Sequence, residues 1–190
     1  MKVEKTVYAF VMIGFMLMFA FAGYGAAADT VELGYEPAGI AEAPCSKSIA
    51  VVTFEDLRDD PAIGESGKGK QFMSKTPVNE WVTRALYDEL KRSGCKAEYH
   101  DKMGDYDTDF VVTGDVEKAY IKQDSATKYN VDISLKLNIF SDGQKVVSKT
   151  YRSNMTKRTG PSFSFKSSVA TQMLQDVMRV AVPELQEMSK

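Results

Sequence analysis

From Tyr129 to Phe140 the chain alternates without a break: Val131, Ile133, Leu135, Leu137 and Ile139 are apolar, while Asp132, Ser134, Lys136 and Asn138 between them are polar. Side chains of an extended strand point to opposite faces with a period of two, so this segment rests one face on a core and leaves the other in water. The remaining elements must therefore supply a cover for one side of a sheet.

The flanking segments fit that demand. Ser141-Asp142-Gly143-Gln144 is turn chemistry, and Lys145 to Asn154 returns as the next strand; a second turn is predicted around Asp124 to Thr127, after a strand from Asp109 to about Lys122. Upstream, Ser48 to Phe54 reads as a buried β-branched strand, and Thr30 to Tyr35 as a short strand before an irregular stretch marked by Pro37, Gly39 and Pro44. Thr76 and Pro77 supply an N-cap and a first-turn proline. Val78, Trp81, Val82, Ala85, Leu86 and Leu90 then recur at helical spacing up to Gly94. Cys95 to His100 follows as a strand, completing a β-α-β unit with parallel neighbours. Val169, Met173, Val177 and Ala181 mark a terminal helix that Pro183 is expected to bend or break. The expected fold is α+β, a two-layer sandwich. A mixed sheet of about five strands, β-α-β and then a three-strand meander, carries two helices on one face.

Residues 1–28 have the build of a secretory signal peptide: Lys2 and Lys5, an apolar stretch from Val7 to Phe21, and small residues at Ala26, Ala27 and Ala28 for cleavage. A retained membrane anchor is the rival reading, since about 15 apolar residues approach the roughly 20 of a membrane span. Lipid attachment would need a cysteine just after the apolar stretch, and the first cysteine is Cys45. Residues 29–190 are then one domain of a size that supports its own core. Taking Lys2, Lys5 and Glu4 from 24 basic and 26 acidic side chains leaves 22 and 25, a net charge of about −3. That balance argues against nucleic acid, whose binding rests on basic side chains displacing counterions from phosphates.

Cys45 and Cys95 are the only two cysteines of a chain bound for an oxidising compartment. One precedes the Ser48 strand and the other opens its parallel neighbour, so a structural disulfide is geometrically open to them; two buried free thiols are the alternative.

Three segments, SIAVVTFEDLRDD at Ser48 to Asp60, DFVVTGDVEKAY at Asp109 to Tyr120 and YNVDISLKLNIF at Tyr129 to Phe140, resemble the YajG-type family of bacterial envelope lipoproteins. The same segments resemble, more distantly, the curli-secretion and lipopolysaccharide-assembly accessory domains. The resemblance spans about Asp29 to Met188. It implies an exported accessory protein of the cell envelope and transfers no catalytic residues; the missing lipobox cysteine implies a soluble periplasmic form.

Motifs that carry chemistry elsewhere are incomplete. Gly64 to Lys70 has the spacing of a phosphate-cradling loop, but Gln71 stands where a magnesium-holding hydroxyl belongs, and the bland reading is a solvated loop. Asp105, Asp107 and Asp109 match the first three ligand positions of a calcium loop, but Phe110 and Val116 stand at its sixth and twelfth positions. His100 is the sole histidine, without metal-ligand spacing or a nucleophile elbow beside it. Trp81, Tyr87, Phe163 and Phe165 read as core or hinge packing, a contact patch only if the two phenylalanines are exposed together. No catalytic residue, metal site or cofactor is expected. The expected function is a non-enzymatic periplasmic domain that binds an envelope protein or lipid component through a sheet edge or through the loop from Glu55 to Lys75, where Asp56, Arg58 and Asp59 are the candidate contacts. The alternative is a lipid or small-molecule carrier with a pocket between helices and sheet.

Overall fold

A computed structural model of the chain describes residues 28–43, 45–158 and 165–190. Its elements are β1 (Asp29–Val31), β2 (Ser48–Val52), β3 (Glu55–Asp56), β4 (Gly64–Ser66), β5 (Gln71–Ser74), α1 (Val78–Arg92), β6 (Lys96–His100), β7 (Phe110–Ser125), β8 (Lys128–Ser141), β9 (Gln144–Arg158) and α2 (Phe165–Met188). The leader falls outside the described residues except for Ala28. Among the described residues no helix is long and apolar enough to cross a membrane.

Sixteen-residue β7 is the spine of the sheet. Along one side it pairs antiparallel with β8, and β8 pairs with β9. Along the other side it takes three successive parallel partners: β2 at Phe110 to Val112, β3 at Asp115 and Val116, and β4 at Ile121 to Gln123. β6 lies beyond β2, while β5 and then β1 lie beyond β4. The five expected strands are present as β2, β6, β7, β8 and β9, but the sheet has nine. The additional strands have a physical cause. Five-residue β2 is too short to satisfy the edge of β7, and the unpaired amides and carbonyls beside the core would each carry a desolvation cost. The segment from Glu55 to Lys75, expected as a solvated loop, supplies the missing partners.

The turns follow their residues. Asp142 (φ 50°) and Gly143 (φ 72°) form a two-residue turn of the primed type that suits twisted antiparallel strands, and Ala126-Thr127 turns between Ser125 and Lys128. Helix α1 departs from expectation at its start, where Pro77 occupies the N-cap itself and no side chain caps the helix. Its end is closed by Gly94 at φ 93°, with Gly94 N–H on Lys91 O (3.3 Å) and Cys95 N–H on Leu90 O (3.0 Å), the paired bonds of a Schellman motif. Helix α2 runs through Pro183 without a break. Proline removes one helical bond at a cost of about 3 kcal/mol, and the last turns are held by tertiary contacts: Val182 and Leu185 in the core, Glu184 on β9, and Gln186 Nε2 on Ser93 O.

Both helices cover one face. Trp81, Val82, Leu86 and Leu90 of α1, with Met173, Leu174, Val177 and Met178 of α2, meet Ile49, Val51, Val112, Ile121 and the apolar set of β8. After Val31 the chain leaves the sheet and crosses the two helices. Its backbone there is satisfied by side chains: Trp81 Nε1 and Thr171 Oγ1 donate to Gly34 O (2.8 and 3.0 Å), and Gln175 Nε2 donates to Glu36 O (2.8 Å). Glu89, 2% exposed, accepts from Tyr35 Oη (2.5 Å) and from the Ala38 N–H. Burial, together with the hydrogen bond to Glu89, raises the Tyr35 pKa. Glu89→Ala leaves both donors without an acceptor, and a loss of about 2–3 kcal/mol is expected from the denaturant midpoint at unchanged slope.

Where β1 begins, Asp29 accepts from Lys166 Nζ (2.8 Å) and Lys70 Nζ (2.5 Å). These bonds, Lys166 first, lower its pKa from 3.8 to about 2. A carboxyl whose folded pKa is depressed stabilises the fold above the unfolded value and ceases to do so as pH falls through the folded one. Between pH 3.8 and about 2 the parent is therefore expected to lose stability that Asp29→Asn does not lose. Because the Asp29 side chain is 40% exposed, solvent screening holds that difference below about 1 kcal/mol. Unfolding curves of both proteins across this interval check it.

Candidate functional site

Strand β9 is, with β1 and β6, an outer strand of the sheet, the longest of the three, and pairs, among the described residues, with β8 alone. Its fifteen residues carry Lys145, Lys149, Arg152, Lys157 and Arg158 and no acidic residue, although the chain as a whole is at −2. Residues directly opposite on two strands share a face, so the register assigns each side chain. Val147, Lys149, Tyr151, Ser153, Met155 and Lys157 lie opposite Ile139, Leu137, Leu135, Ile133, Val131 and Tyr129 and face the helices. Lys145, Arg152 and Arg158 lie opposite Phe140, Ser134 and Lys128 on the helix-free face.

The helix side of β9 is anchored. Tyr151 is buried and donates from Oη to Glu184 Oε2 (2.7 Å), and Lys149 Nζ reaches Glu184 Oε1 and Oε2 (2.7 Å each). Lys149 first, then Tyr151, lowers the Glu184 pKa, whereas burial raises that of Tyr151. Val147 and Met155 are half-buried against the core. On the other face Arg152 Nε donates to Ser134 Oγ (3.2 Å), which donates to Glu117 Oε2 (2.7 Å), so Ser134 is buried on the face expected to be wet. Lys145 Nζ lies 5.5 Å from the Phe140 ring centroid. Among the described residues only Lys149 of the five cations has a carboxylate within 4 Å. A long open edge bearing cations resists pairing with its own kind while its amides and carbonyls stay available.

The residues singled out from sequence are placed as follows. Cys45 and Cys95 are disulfide-bonded, their Cα atoms 4.8 Å apart, which ties the segment before β2 to the start of β6. Arg58 donates from Nε to Asp56 Oδ1 and from Nη2 to Asp56 Oδ2 (both 2.8 Å), and from Nη1 to Ala62 O (3.2 Å). Its side chain is 7% exposed, so it closes the β3–β4 connection and is spent locally. The same guanidinium lowers the Asp56 pKa. Asp59 is exposed beside it. Gly64 to Lys70 forms β4 and a turn toward β5, with Lys70 Nζ on Asp29. Asp109 accepts from the Ser48 N–H (2.7 Å) and Oγ (2.8 Å) and so ties β7 to β2. No group of three His, Cys, Asp or Glu that could hold a metal occurs among the described residues. His100 stacks on Tyr106 at 4.0 Å, Nε2 3.4 Å from Glu98 Oε2. Trp81 is core, Tyr87 meets Tyr99 edge-on at 5.9 Å, and Phe165 packs on Tyr129 at 4.8 Å. Phe163, Ala26 and Ala27 lie outside the described residues. Between helices and sheet, at Leu33, Ile63, Trp81 and Met173, the void is about 10 Å³. That is the volume of at most one water and leaves no room there for a carried lipid.

Sequence reasoning passed over the β9 charge. The signal was present, five cations and no anion from Lys145 to Arg158, but only the pairing order shows that this strand lies at an end of the sheet.

Solved structures share the architecture. Protein XCC0632 from Xanthomonas campestris, of family DUF330, superimposes with a TM-score of 0.60 at 15% identity, covering 84% of this chain and 95% of that one. The hypothetical protein CT253 from Chlamydia trachomatis gives 0.52 at 10% identity, with 74% and 96% covered. These likenesses show the fold. No protein-family model and no curated protein matches the chain.

Proposed function

We propose that the chain is a non-enzymatic domain of the bacterial cell envelope, exported to the periplasm, that binds another envelope component by taking an extended segment of it along β9. The observation that carries this reading is the fifteen-residue β9 edge, open among the described residues. Such an edge supplies affinity through main-chain bonds and specificity through alternate side chains. The Cys45–Cys95 bond suits an oxidising compartment, and the leader and the YajG-type resemblance fit the same location. The Glu55–Lys75 segment is the weaker candidate because its arginine is paired and its strands complete the sheet.

The test uses proline. In a regular antiparallel strand the N–H of one residue faces its partner and the next faces away. Ser153 and Asn154 are consecutive, so proline placed at one of them removes a β8 bond and at the other only an edge donor. The edge variant is expected to keep its stability and lose cross-linking to its envelope partner in intact cells, while the other variant loses stability. Recovery of the whole protein in the cytoplasm, or unchanged cross-links in both variants, would count against the reading.

A further inference from the structure

Resting on the edge reading above, the geometry points to a partner of defined chemistry: an extended polypeptide segment with acidic residues at every second position and apolar residues between them. Charge decides the first half. Lys145, Arg152 and Arg158 share the helix-free face of β9, and none has a carboxylate within 4 Å among the described residues. Opposite charges on adjacent strands attract and like charges repel, so an incoming strand gains from acids on that face. A second copy pairing edge to edge would instead set each five-cation strand beside another, which rules against self-association here.

Burial decides the second half. On the helix side Lys149 is already neutralised by Glu184, Val147 and Met155 are half-buried at the rim of the core, and Lys157, opposite Tyr129, stands only at the far end of the strand, so the central stretch of that side is apolar and charge-balanced. Apolar residues of an added strand would land beside these two and extend the core by one strand. An acid placed there would face Glu184. Lys145 and Arg158 are thirteen residues apart, about 43 Å of strand, so a partner of roughly a dozen residues spans the charged face.

The full chain as recovered from cells is titrated with five blocked twelve-residue peptides: a Glu-Val alternation, a Lys-Val alternation, a Glu-Glu-Val-Val repeat, and two Glu-Val peptides N-methylated at every second residue, one in each phase. Amide shifts locate binding, and anisotropy measures affinity. The expected result is that Glu-Val shifts the amides of β9 and binds about tenfold more tightly than Lys-Val and the block repeat, the product of a few cross-strand charge pairs. One N-methylated phase should fail to bind. The exposed double variant Arg152→Glu with Arg158→Glu, checked for an unchanged circular dichroism spectrum, should invert the preference. Equal or tighter binding of Lys-Val at β9 overturns the acidic partner and leaves the edge reading standing. Equal binding of the block repeat overturns the face assignment. If no peptide moves β9 amides, or both N-methylated phases bind as well as the parent peptide, the edge reading itself falls. Binding to phosphatidylglycerol vesicles without any peptide binding would assign the cations to a membrane surface and overturn the proposal.

Discussion

Replacing Cys45 and Cys95 together by alanine is expected to lower the stability of the fold by about 4 kcal/mol, the chain-entropy value for a loop of this length. The two residues are 50 positions apart in sequence, and the closed loop contains β2, the strands β3 to β5 and all of α1. Without the bond, the unfolded chain regains the freedom of that whole segment. The native contacts at the site survive the change: Cys95 follows a helix end closed by its own backbone bonds, and Ser46 N–H remains on Ser189 O (2.8 Å). The loss should therefore appear as a lower unfolding midpoint in denaturant with the folded spectrum retained. A double variant within about 1 kcal/mol of the parent would show that the unfolded chain is already constrained by other means.

Gly64→Ala is expected to cost roughly 3–4 kcal/mol, from backbone strain and overpacking together. At φ 152° the residue holds a conformation that side-chain-bearing residues rarely adopt, and an added Cβ would lie 2.0 Å from Ile121 O. The clash falls on the ladder that joins β4 to β7, next to the bond from Ile121 N–H to Ile63 O (2.8 Å). Amide exchange should show the loss where the strands detach, at residues 63–74, with β8 and β9 still protected. Unchanged exchange there, at parental stability, would contradict the packing described. The same glycine belongs to the segment whose spacing imitates a phosphate loop; its role is to let two backbones approach.

Elements whose residues carry their own instructions were legible in the sequence. The alternation of Val131 to Ile139 made β8, the apolar spacing of Val78 to Leu90 made α1, and Asp142-Gly143 made the hairpin turn. Residues that depend on distant partners were not. Nothing in the period of Glu55 to Ser74 announces β3, β4 or β5, because their pairing exists to satisfy a β7 edge some fifty residues away. Pro183 reads as a breaker, and tertiary contacts, among them the grip of Tyr151 and Lys149 on Glu184 and the burial of Val182 and Leu185, keep α2 continuous past it. Arg58 reads as a free guanidinium until its bonds to Asp56 and Ala62 are seen.

The amino-acid sequence by itself determined the α+β class, the helix-covered face of the sheet and the two cysteines available for a bond, because local periodicity and residue chemistry act over a few positions. Tertiary structure alone decided that β9 lies at an end of the sheet, and so where five cations meet backbone that is unpaired among the described residues. Strand order is a choice among long-range pairings, whose free energies arise from contacts that no local segment contains.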